Sequence, residues 1–244
     1  MRHPSTRVDG RGHLSPGRWL LIGNSRWHWA SGYPGALQSW SDAPGQGDPG
    51  GLTGWAAVGP VPPALQLQTA CRIHSAQVPL ERLPAWLGVD RSLAGWRAWQ
   101  RSGTAVLVAD AGTALSFTRI RADGGFAGGR LLAGAGLQLR ALQAGTEALP
   151  RLDVPLAVPA PAWPAPTAEA MAAGVLRGLA AAIAQAGRES QADDLGCRLW
   201  ITGGDGELLA PLVRELLAGS SVDVQWDPAL ALEALAALRP APDR

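Results

Sequence analysis

The chain has 244 residues, with 20 acidic and 21 basic side chains and a formal net charge of +1, which excludes recruitment of nucleic acid or an anionic membrane by bulk charge. Hydrophobic residues make up 47% and charged residues 17%, enough to bury a sizeable core in one large or two small domains. All 21 basic residues are arginine, which excludes a Walker A lysine, a kinase strand lysine and a Schiff-base lysine.

The N-terminal part of the chain predicts a hairpin and a third strand. Residues 18–22 form a short apolar run typical of a buried strand, and Gly23-Asn24-Ser25 is a turn signal. Residues 27–29 alternate like a second strand. We expect a loop over residues 41–54 and a short strand over residues 55–58.

The central part predicts a helical segment followed by a second hairpin. Residues 79–100 have a helical pattern at both ends, with Gly88-Val89-Asp90-Arg91 in the middle. Residues 104–109 predict a buried strand that runs into Asp110-Ala111-Gly112-Thr113. Residues 115–120 then alternate like its partner strand.

The C-terminal part predicts alternating helices and strands. Residues 150–166 carry six prolines and form an irregular connection, after which Thr167 is expected to cap a helix. We expect a strand at residues 198–202 that ends at Gly203-Gly204. Further helices are expected at residues 207–218 and 228–238. The apolar face of the helix after Thr167 consists of Met171, Val175, Leu176, Leu179 and Ile183. This alternation predicts an α/β fold.

The chain also repeats itself weakly, which suggests two similar halves. Residues 20–25 align with residues 109–114, each as a strand, a glycine turn and a second strand. In this alignment Leu21 stands where the second copy has Asp110.

The turns after the strands allow two interpretations. The turns at Gly23-Asn24-Ser25, Gly112-Thr113 and Gly203-Gly204 each follow an apolar strand, and small residues there let backbone N–H groups approach a phosphate. Equally, a strand end needs a turn whatever its function. None of them is a dinucleotide-binding fingerprint.

Two aspartates also allow a functional and a structural interpretation. Asp110, at the end of a strand, suits a cation ligand or a turn cap. Asp90 suits either a proton acceptor from a substrate hydroxyl or a helix cap, and Arg91 could grip a carboxylate.

The remaining composition indicates a cytoplasmic protein. Cys71 and Cys197 lie far apart and form no disulfide framework, which is typical of a reducing compartment. The four histidines lack metal-ligand spacing, and no apolar run looks long enough to span a bilayer. We therefore expect no membrane or nucleic-acid partner.

Six short motifs, in chain order, resemble those of type III pantothenate kinases. The stretch Gly88-Val89-Asp90-Arg91 matches the family's Gly-x-Asp-Arg motif in full, and residues 110–114 match Asp-x-Gly-Thr-Ala. The other four matches are residues 21–25, residues 128–134, the segment from Thr167 to Gly174 and residues 201–204. Together the motifs cover about residues 18–238.

The resemblance implies an actin-like (ribonuclease H-like) fold, with two duplicated α/β halves and the active site in the cleft between them. The expected division is a disordered leader at residues 1–17, an N-terminal half at 18–103 and a C-terminal half at 104–244. The implied activity is ATP-dependent phosphorylation of pantothenate to 4′-phosphopantothenate, the first step of coenzyme A biosynthesis, by a homodimer. The implied cofactors are ATP with Mg²⁺ and a monovalent cation, K⁺ or NH₄⁺.

The family's functional residues carry over by position. Asp90 would accept the proton of the pantothenate hydroxyl, within a substrate-binding turn formed by Gly88, Val89, Asp90 and Arg91 and completed by Thr167. The nucleotide and cation residues would be Asp110 for the monovalent cation, Thr113 for ATP, and Gly23, Asn24 and Ser25 for the phosphates.

The chain departs from the family's pattern at the first motif. Leu21 replaces its Asp, and His28 stands where many members have Lys. These departures leave two alternatives open: a non-catalytic binding or regulatory member of the family, or a related kinase of another small molecule.

Overall fold

The computed structural model describes residues 16–33 and 35–239. Its strands are β1 (Gly17–Ile22), β2 (Trp27–Tyr33), β3 (Ala36–Asp42), β4 (Gly54–Ala57), β5 (Val106–Ala111), β6 (Ala114–Ile120), β7 (Phe126–Ala133), β8 (Arg198–Thr202) and β9 (Val224–Trp226). Its α-helices are α1 (Val89–Ser102), α2 (Ala135–Ala144), α3 (Thr167–Asp193), α4 (Gly206–Leu216) and α5 (Leu230–Leu238). The predicted leader lies outside the described residues, apart from its last two positions, and Gly17 already belongs to β1.

The first sheet has the strand order β3-β2-β1-β4. β1 pairs antiparallel with β2 and parallel with β4, so that the predicted hairpin is confirmed. One face of this sheet carries a small core of large side chains, because β1, β2 and β4 each point apolar residues to that side: Leu20, Ile22, Trp27, Trp29 and Trp55.

The second sheet has the strand order β7-β6-β5-β8-β9. β5 is apolar and buried over most of its length, as expected for a strand covered on both faces. Helix α3 packs against β5, β8 and α4. The helix face predicted from the sequence is buried in this core, which confirms the helical periodicity.

The two sheets share a pattern of strand order and direction. In each, two antiparallel pairs (β3-β2-β1 and β7-β6-β5) are followed by a parallel partner, β4 or β8. Leu21 pairs with β2 and β4, and Asp110 pairs in the same way with β6 and β8. The weak internal repeat of the sequence therefore has a counterpart in the strand pairing.

The chain divides into two compact units. The first unit contains the described residues up to Pro79, then Pro84–Ala94 and the residues from Leu230 onward. The second unit contains Leu80–Leu83 and Gly95–Ala229. The two sheets lie on either side of residue 104 in the sequence, but α5 belongs to the first unit and α1 has residues in both.

Two segments differ from the secondary structure that the sequence predicts. Residues 79–88 are not helical, because the backbone of Glu81 donates to Gly124 O and accepts from Phe126 N–H in a bridge that no local pattern shows. The loop predicted over residues 41–54 overlaps the end of β3. This edge strand is polar and largely exposed, so its sequence lacks the apolar alternation that predicts a strand.

Helix α3 also corrects an expectation about membranes. By length and composition alone it is apolar enough to cross a bilayer, although no such run was expected from the sequence. Most of its apolar stretch is buried in the core of the second unit, so we interpret it as a core helix.

Candidate active site

The predicted phosphate turn lies at the end of β1. The N–H of Gly23 donates to the carbonyl of Arg26 over 3.0 Å, which closes a tight turn. Asn24 and Ser25 are exposed on it. The Asn24 Oδ1 atom lies 3.3 Å from the position that a Cβ on Gly59 would take. The turn is therefore open to a ligand and packs beside the segment that follows β4.

The proposed base lies in the first turn of α1. Helix α1 begins at Val89, so Asp90 is its second residue and not its cap. The Oδ1 atom of Asp90 accepts a hydrogen bond from the N–H of Arg91 over 2.8 Å. It also lies 2.6 Å from where a Cβ on Gly88 would be, so a side chain at this position would force the carboxyl group to shift. Gly88 thus leaves room for the position that the carboxyl group takes.

Burial raises the pKa of Asp90 above its usual range. The desolvation of the carboxylate outweighs the opposing hydrogen bond from the Arg91 N–H and the charge of its guanidinium. A carboxylate with a raised pKa is a stronger base than an ordinary carboxylate. This electrostatic environment suits proton acceptance from a hydroxyl.

The segment after β4 connects the two motifs of the first unit. The N–H of Val58 donates to the carbonyl of Ile22 over 2.9 Å, and Val58 Cγ1 lies 4.0 Å from the Cβ position of Gly88. The side chain of Asn24 lies beside the neighbouring Gly59. The first unit thus brings Gly23-Asn24-Ser25 and Gly88-Val89-Asp90-Arg91 to one end of β1 and β4.

His28, which stands where many members of the family have Lys, belongs to the same region. Its Nε2 atom lies 3.5 Å from the Cβ position of Gly23, and its Nδ1 atom is 2.8 Å from Ser41 Oγ. Burial, and then the charge of Arg26, lower the pKa of His28. The imidazole beside the phosphate turn therefore takes up a proton less readily than a free imidazole. Its partner Ser41 lies on β3, a strand that the sequence did not predict.

In the second unit, Asp110 lies where two strand ends meet. It pairs with Ser116 on β6 and Thr202 on β8. Gly203 has a φ of +88°, and a Cβ there would collide with Asp110 Oδ1 and lie 2.5 Å from the carbonyl oxygen of Ala111. A side chain at Gly203 would therefore displace the Asp110 carboxyl.

The other turns of the second unit converge on the same strand end. The N–H of Asp205 donates to Ala111 O over 2.9 Å, and that of Gly134 donates to Thr113 O over 3.1 Å. Thr113 itself is exposed on the turn between β5 and β6. Helices α2 and α4 begin directly after Gly134 and Asp205, so their N-terminal N–H groups lie near the exposed Thr113 turn.

Thr167 does not have the capping role that the sequence predicts. It is the first residue of α3, Pro166 holds the cap position, and no side-chain hydrogen bond caps the helix. The Thr167 side chain is exposed. Its contact with pantothenate stays a prediction.

The metal-binding potential of the site is limited to oxygen donors. Within residues 16–33 and 35–239, no group of three or more His, Cys, Asp or Glu side chains could hold a metal ion. Near Gly203, however, the carboxyl oxygen of Asp110 and the carbonyl oxygen of Ala111 both face the same small space. Carboxylate and carbonyl oxygens suit a monovalent cation, whereas a divalent metal would need additional ligands such as nucleotide phosphates.

Known proteins match this chain along most of its length. A family model described as type III pantothenate kinase matches residues 67–189. A type III pantothenate kinase of Synechococcus sp. (strain JA-3-3Ab) is 36% identical over 231 residues, covering 91% of this chain and 92% of that protein. One of Synechocystis sp. (strain ATCC 27184 / PCC 6803 / Kazusa) is 32% identical over 232 residues, covering 90% and 88%.

Solved structures show a similar fold at low identity. A Campylobacter jejuni protein described as a Baf family transcriptional activator has a TM-score of 0.59 and 19% identity, covering 91% of this chain and 96% of that one. The ethanolamine utilization protein EutJ of Carboxydothermus hydrogenoformans has a TM-score of 0.50 and 14% identity, covering 92% and 89%. At these identities the likeness concerns the fold alone.

Proposed function

The chain belongs to the type III pantothenate kinase family and phosphorylates pantothenate with ATP in the first step of coenzyme A biosynthesis, and we propose that Asp90 is the base of this reaction. The single observation that carries the assignment is the buried carboxyl group of Asp90 with its raised pKa, in a motif that matches the family in full. Arg91, next in the motif, grips the pantothenate carboxylate with its planar guanidinium.

The reaction needs one proton transfer and one phosphoryl transfer. The Asp90 carboxylate accepts the proton of the terminal hydroxyl of pantothenate while the hydroxyl oxygen forms a bond to the γ-phosphorus of ATP. The bond from that phosphorus to the β,γ-bridging oxygen breaks, and ADP leaves with the electron pair. Because phosphoryl transfer depends mainly on positioning and charge neutralisation, a chain without lysine can support it.

The nucleotide and cation residues are those that the motifs predict. Gly23, Asn24, Ser25 and Thr113 contact the phosphates of ATP, with Mg²⁺ carried by the nucleotide. Asp110 would hold K⁺ or NH₄⁺, which would supply positive charge for the transfer. The open turn after β1 and the oxygen atoms around Gly203 support this assignment.

We extend the proposal to the architecture and the assembly. The shared strand order of the two sheets supports two duplicated actin-like halves. The proposed protein is a cytoplasmic homodimer. Its pantothenate-binding residues are Gly88, Val89, Asp90, Arg91 and Thr167.

The test is turnover by the purified chain and by an Asp90→Asn variant, at high K⁺ and Mg²⁺, with and without pantothenate. We expect pantothenate-dependent formation of ADP and a loss of about 10²–10⁴-fold in kcat for the variant, the usual contribution of a general base. Asp123→Asn is the matched control, because Asp123 is exposed and its ion pair with Arg82 lies at the surface. Full turnover by Asp90→Asn would overturn the assignment.

Leu21 favours a second candidate, a non-catalytic member of the family. It is buried at the position of the first sheet that corresponds to Asp110 in the second, so the first unit lacks that carboxylate. Calorimetry with ATP and Mg²⁺ separates the two candidates. A folded protein that binds no nucleotide and turns over no pantothenate is the non-catalytic member.

A further inference from the structure

We infer that Ser75 is a positioning residue for Asp90: its hydroxyl holds the peptide on which the Asp90 carboxyl group rests. The inference relies on the proposed role of Asp90 as the base. Ser75 lies outside all six motifs of the family resemblance, and only its tertiary contact connects it with the site.

Ser75 belongs to a short, well-anchored segment of the first unit. The N–H of Ile73 donates to the carbonyl of Trp55 on β4 over 2.8 Å, which ties the segment to the first sheet. The buried side chains of Ile73 and Val78 flank the segment on both sides. The N–H of His74 donates to Gln77 Oε1 over 2.9 Å and closes the single turn of 3₁₀-helix at residues 75–77. The Ser75 hydroxyl therefore projects from a fixed support.

From this support, Ser75 reaches the entrance of α1. Its Oγ donates to the carbonyl of Leu87 over 2.8 Å, across 12 residues of sequence. The next carbonyl, that of Gly88, accepts from the N–H and from the Oγ of Ser92, over 3.2 and 3.0 Å. Ser92 is fully buried and Leu87 nearly so. Two consecutive carbonyls before Asp90 are thus each held by a serine hydroxyl.

These bonds matter because the Asp90 carboxyl group has little room. Its Oδ1 lies 2.6 Å from the Cβ position of Gly88, so a rotation of the Leu87–Gly88 peptide would push the carboxyl group or free it to turn away. Small displacements of a catalytic group are costly, since an error of about 1 Å can lower a rate about 10²-fold. Ser75 limits this rotation from outside the helix, whereas Ser92 acts from within it.

The experiment compares Ser75→Ala with Ser220→Ala. Ser220 Oγ also donates to a backbone carbonyl, that of Leu217, over 2.7 Å, but in the second unit, where it also accepts a long hydrogen bond of 3.4 Å from the N–H of Val222. We expect both variants to lose about 2–4 °C in Tm, as for one lost hydrogen bond in a chain of this size. Only Ser75→Ala should lower kcat, by about tenfold, with KM for ATP unchanged.

The pH profile provides a readout that a purely structural role would not move. A loosened Leu87–Gly88 peptide lets water reach Asp90, which weakens the desolvation that raises its pKa. The acid limb of kcat/KM for pantothenate should therefore move to lower pH in Ser75→Ala and stay in place in Ser220→Ala. Ser75→Thr, which keeps the hydroxyl, should restore both kcat and the profile.

The inference is overturned if Ser75→Ala loses stability as Ser220→Ala does and keeps the wild-type kcat and pH profile. If Ser75→Ala is unfolded at the assay temperature, Gln77→Ala decides, because it loosens the same segment at an exposed side chain. A smaller kcat and a shifted acid limb then support the inference, and a wild-type profile overturns it. Wild type and Asp90→Asn assayed in parallel distinguish this failure from failure of the proposed function.

Discussion

Asp90 combines a recognisable sequence motif with an environment that only the folded chain provides. The motif predicted its position and its role, but not the burial of the carboxyl group or its closeness to Gly88. Those depend on residues far away in sequence, such as Val58 and Ser75. Leu21 shows the reverse case, because the alignment of the internal repeat alone placed it opposite Asp110 and the strand pairing agrees.

The raised pKa of Asp90 predicts a conflict between activity and stability. Below its pKa in the unfolded chain, the carboxyl group is protonated in both states and contributes nothing to pH dependence. As the pH rises above that value, the unfolded chain ionises first and the free energy of unfolding falls, until the pH passes the raised pKa of the folded state. We therefore expect Asp90→Asn to raise the Tm at pH 7, by about 2–4 °C for each kcal/mol gained, and less at acid pH. Scanning calorimetry over this range measures it, and a lower Tm for Asp90→Asn at pH 7 would contradict the burial.

Replacing Gly203 by alanine should impair stability and K⁺ activation, whereas the same change at Gly204 should not. Gly203→Ala forces a side chain into the left-handed region, which costs about 1–2 kcal/mol, and displaces the carboxyl group of Asp110. We expect a lower Tm and a several-fold higher K⁺ concentration for half-maximal activation.

Gly204→Ala is the control for this prediction, because a Cβ there meets nothing within 4 Å and φ is not positive. Titration of activity with KCl compares the two variants. If both variants needed the same K⁺ concentration for half-maximal activation, Asp110 would not be a ligand of the cation.

At the level of the elements, the sequence predicts what local periodicity controls. Helix α3 was predicted from its repeating apolar face, and that face is buried. Residues 79–88 look helical in isolation, but the pairing of Glu81 with residues 124–126 gives their backbone other hydrogen-bond partners. Strand β3 exists because β2 offers it an edge, and its own side chains are mostly exposed. Long-range pairing of this kind leaves no local signal.

The buried face of helix α3 predicts how much stability is lost when a cavity is made in the core of the second unit. Ile183 is fully buried among β5, β8 and neighbouring helices. We expect Ile183→Ala to lower the free energy of unfolding by about 2–5 kcal/mol, the usual range for such a cavity. Gln185→Ala, on the exposed face of the same helix, should change it by less than about 0.5 kcal/mol. Urea denaturation measures both, and equal effects would contradict the assigned helix face.

For the whole molecule, the order of the motifs identified the family before any geometry was known. Each motif is weak alone, but six in order cover most of the chain, and relatives at 32–36% identity match the same span. The order of the motifs could not show which residues outside them contact the motif residues in the folded chain. His28, Ser41 and Ser75 lie near the site through strand pairing and long-range hydrogen bonds.

The nearly balanced charge predicts where the protein is least soluble. With a net charge of +1 at pH 7 and a pI of about 7.9, repulsion between molecules vanishes close to pH 8. We expect light scattering of a concentrated solution to peak near that pH and to fall on either side. A minimum of scattering near pH 8 would show that patches of one sign govern association instead.

Helix α5 has a consequence for how the protein is made. The helix contacts β1, β2 and β4, and the indole N–H of Trp19 donates to the carbonyl of Arg239 over 2.7 Å. About 210 residues separate β1 from this helix, so at about 5–20 residues per second the first strand waits roughly 10–40 s on the ribosome for its last partner. The middle of the chain, which forms the second unit, has been synthesised by then. The unit that carries Asp90 therefore begins with β1 and is completed only when α5 has been synthesised, and until then it stays open to chaperones and proteases.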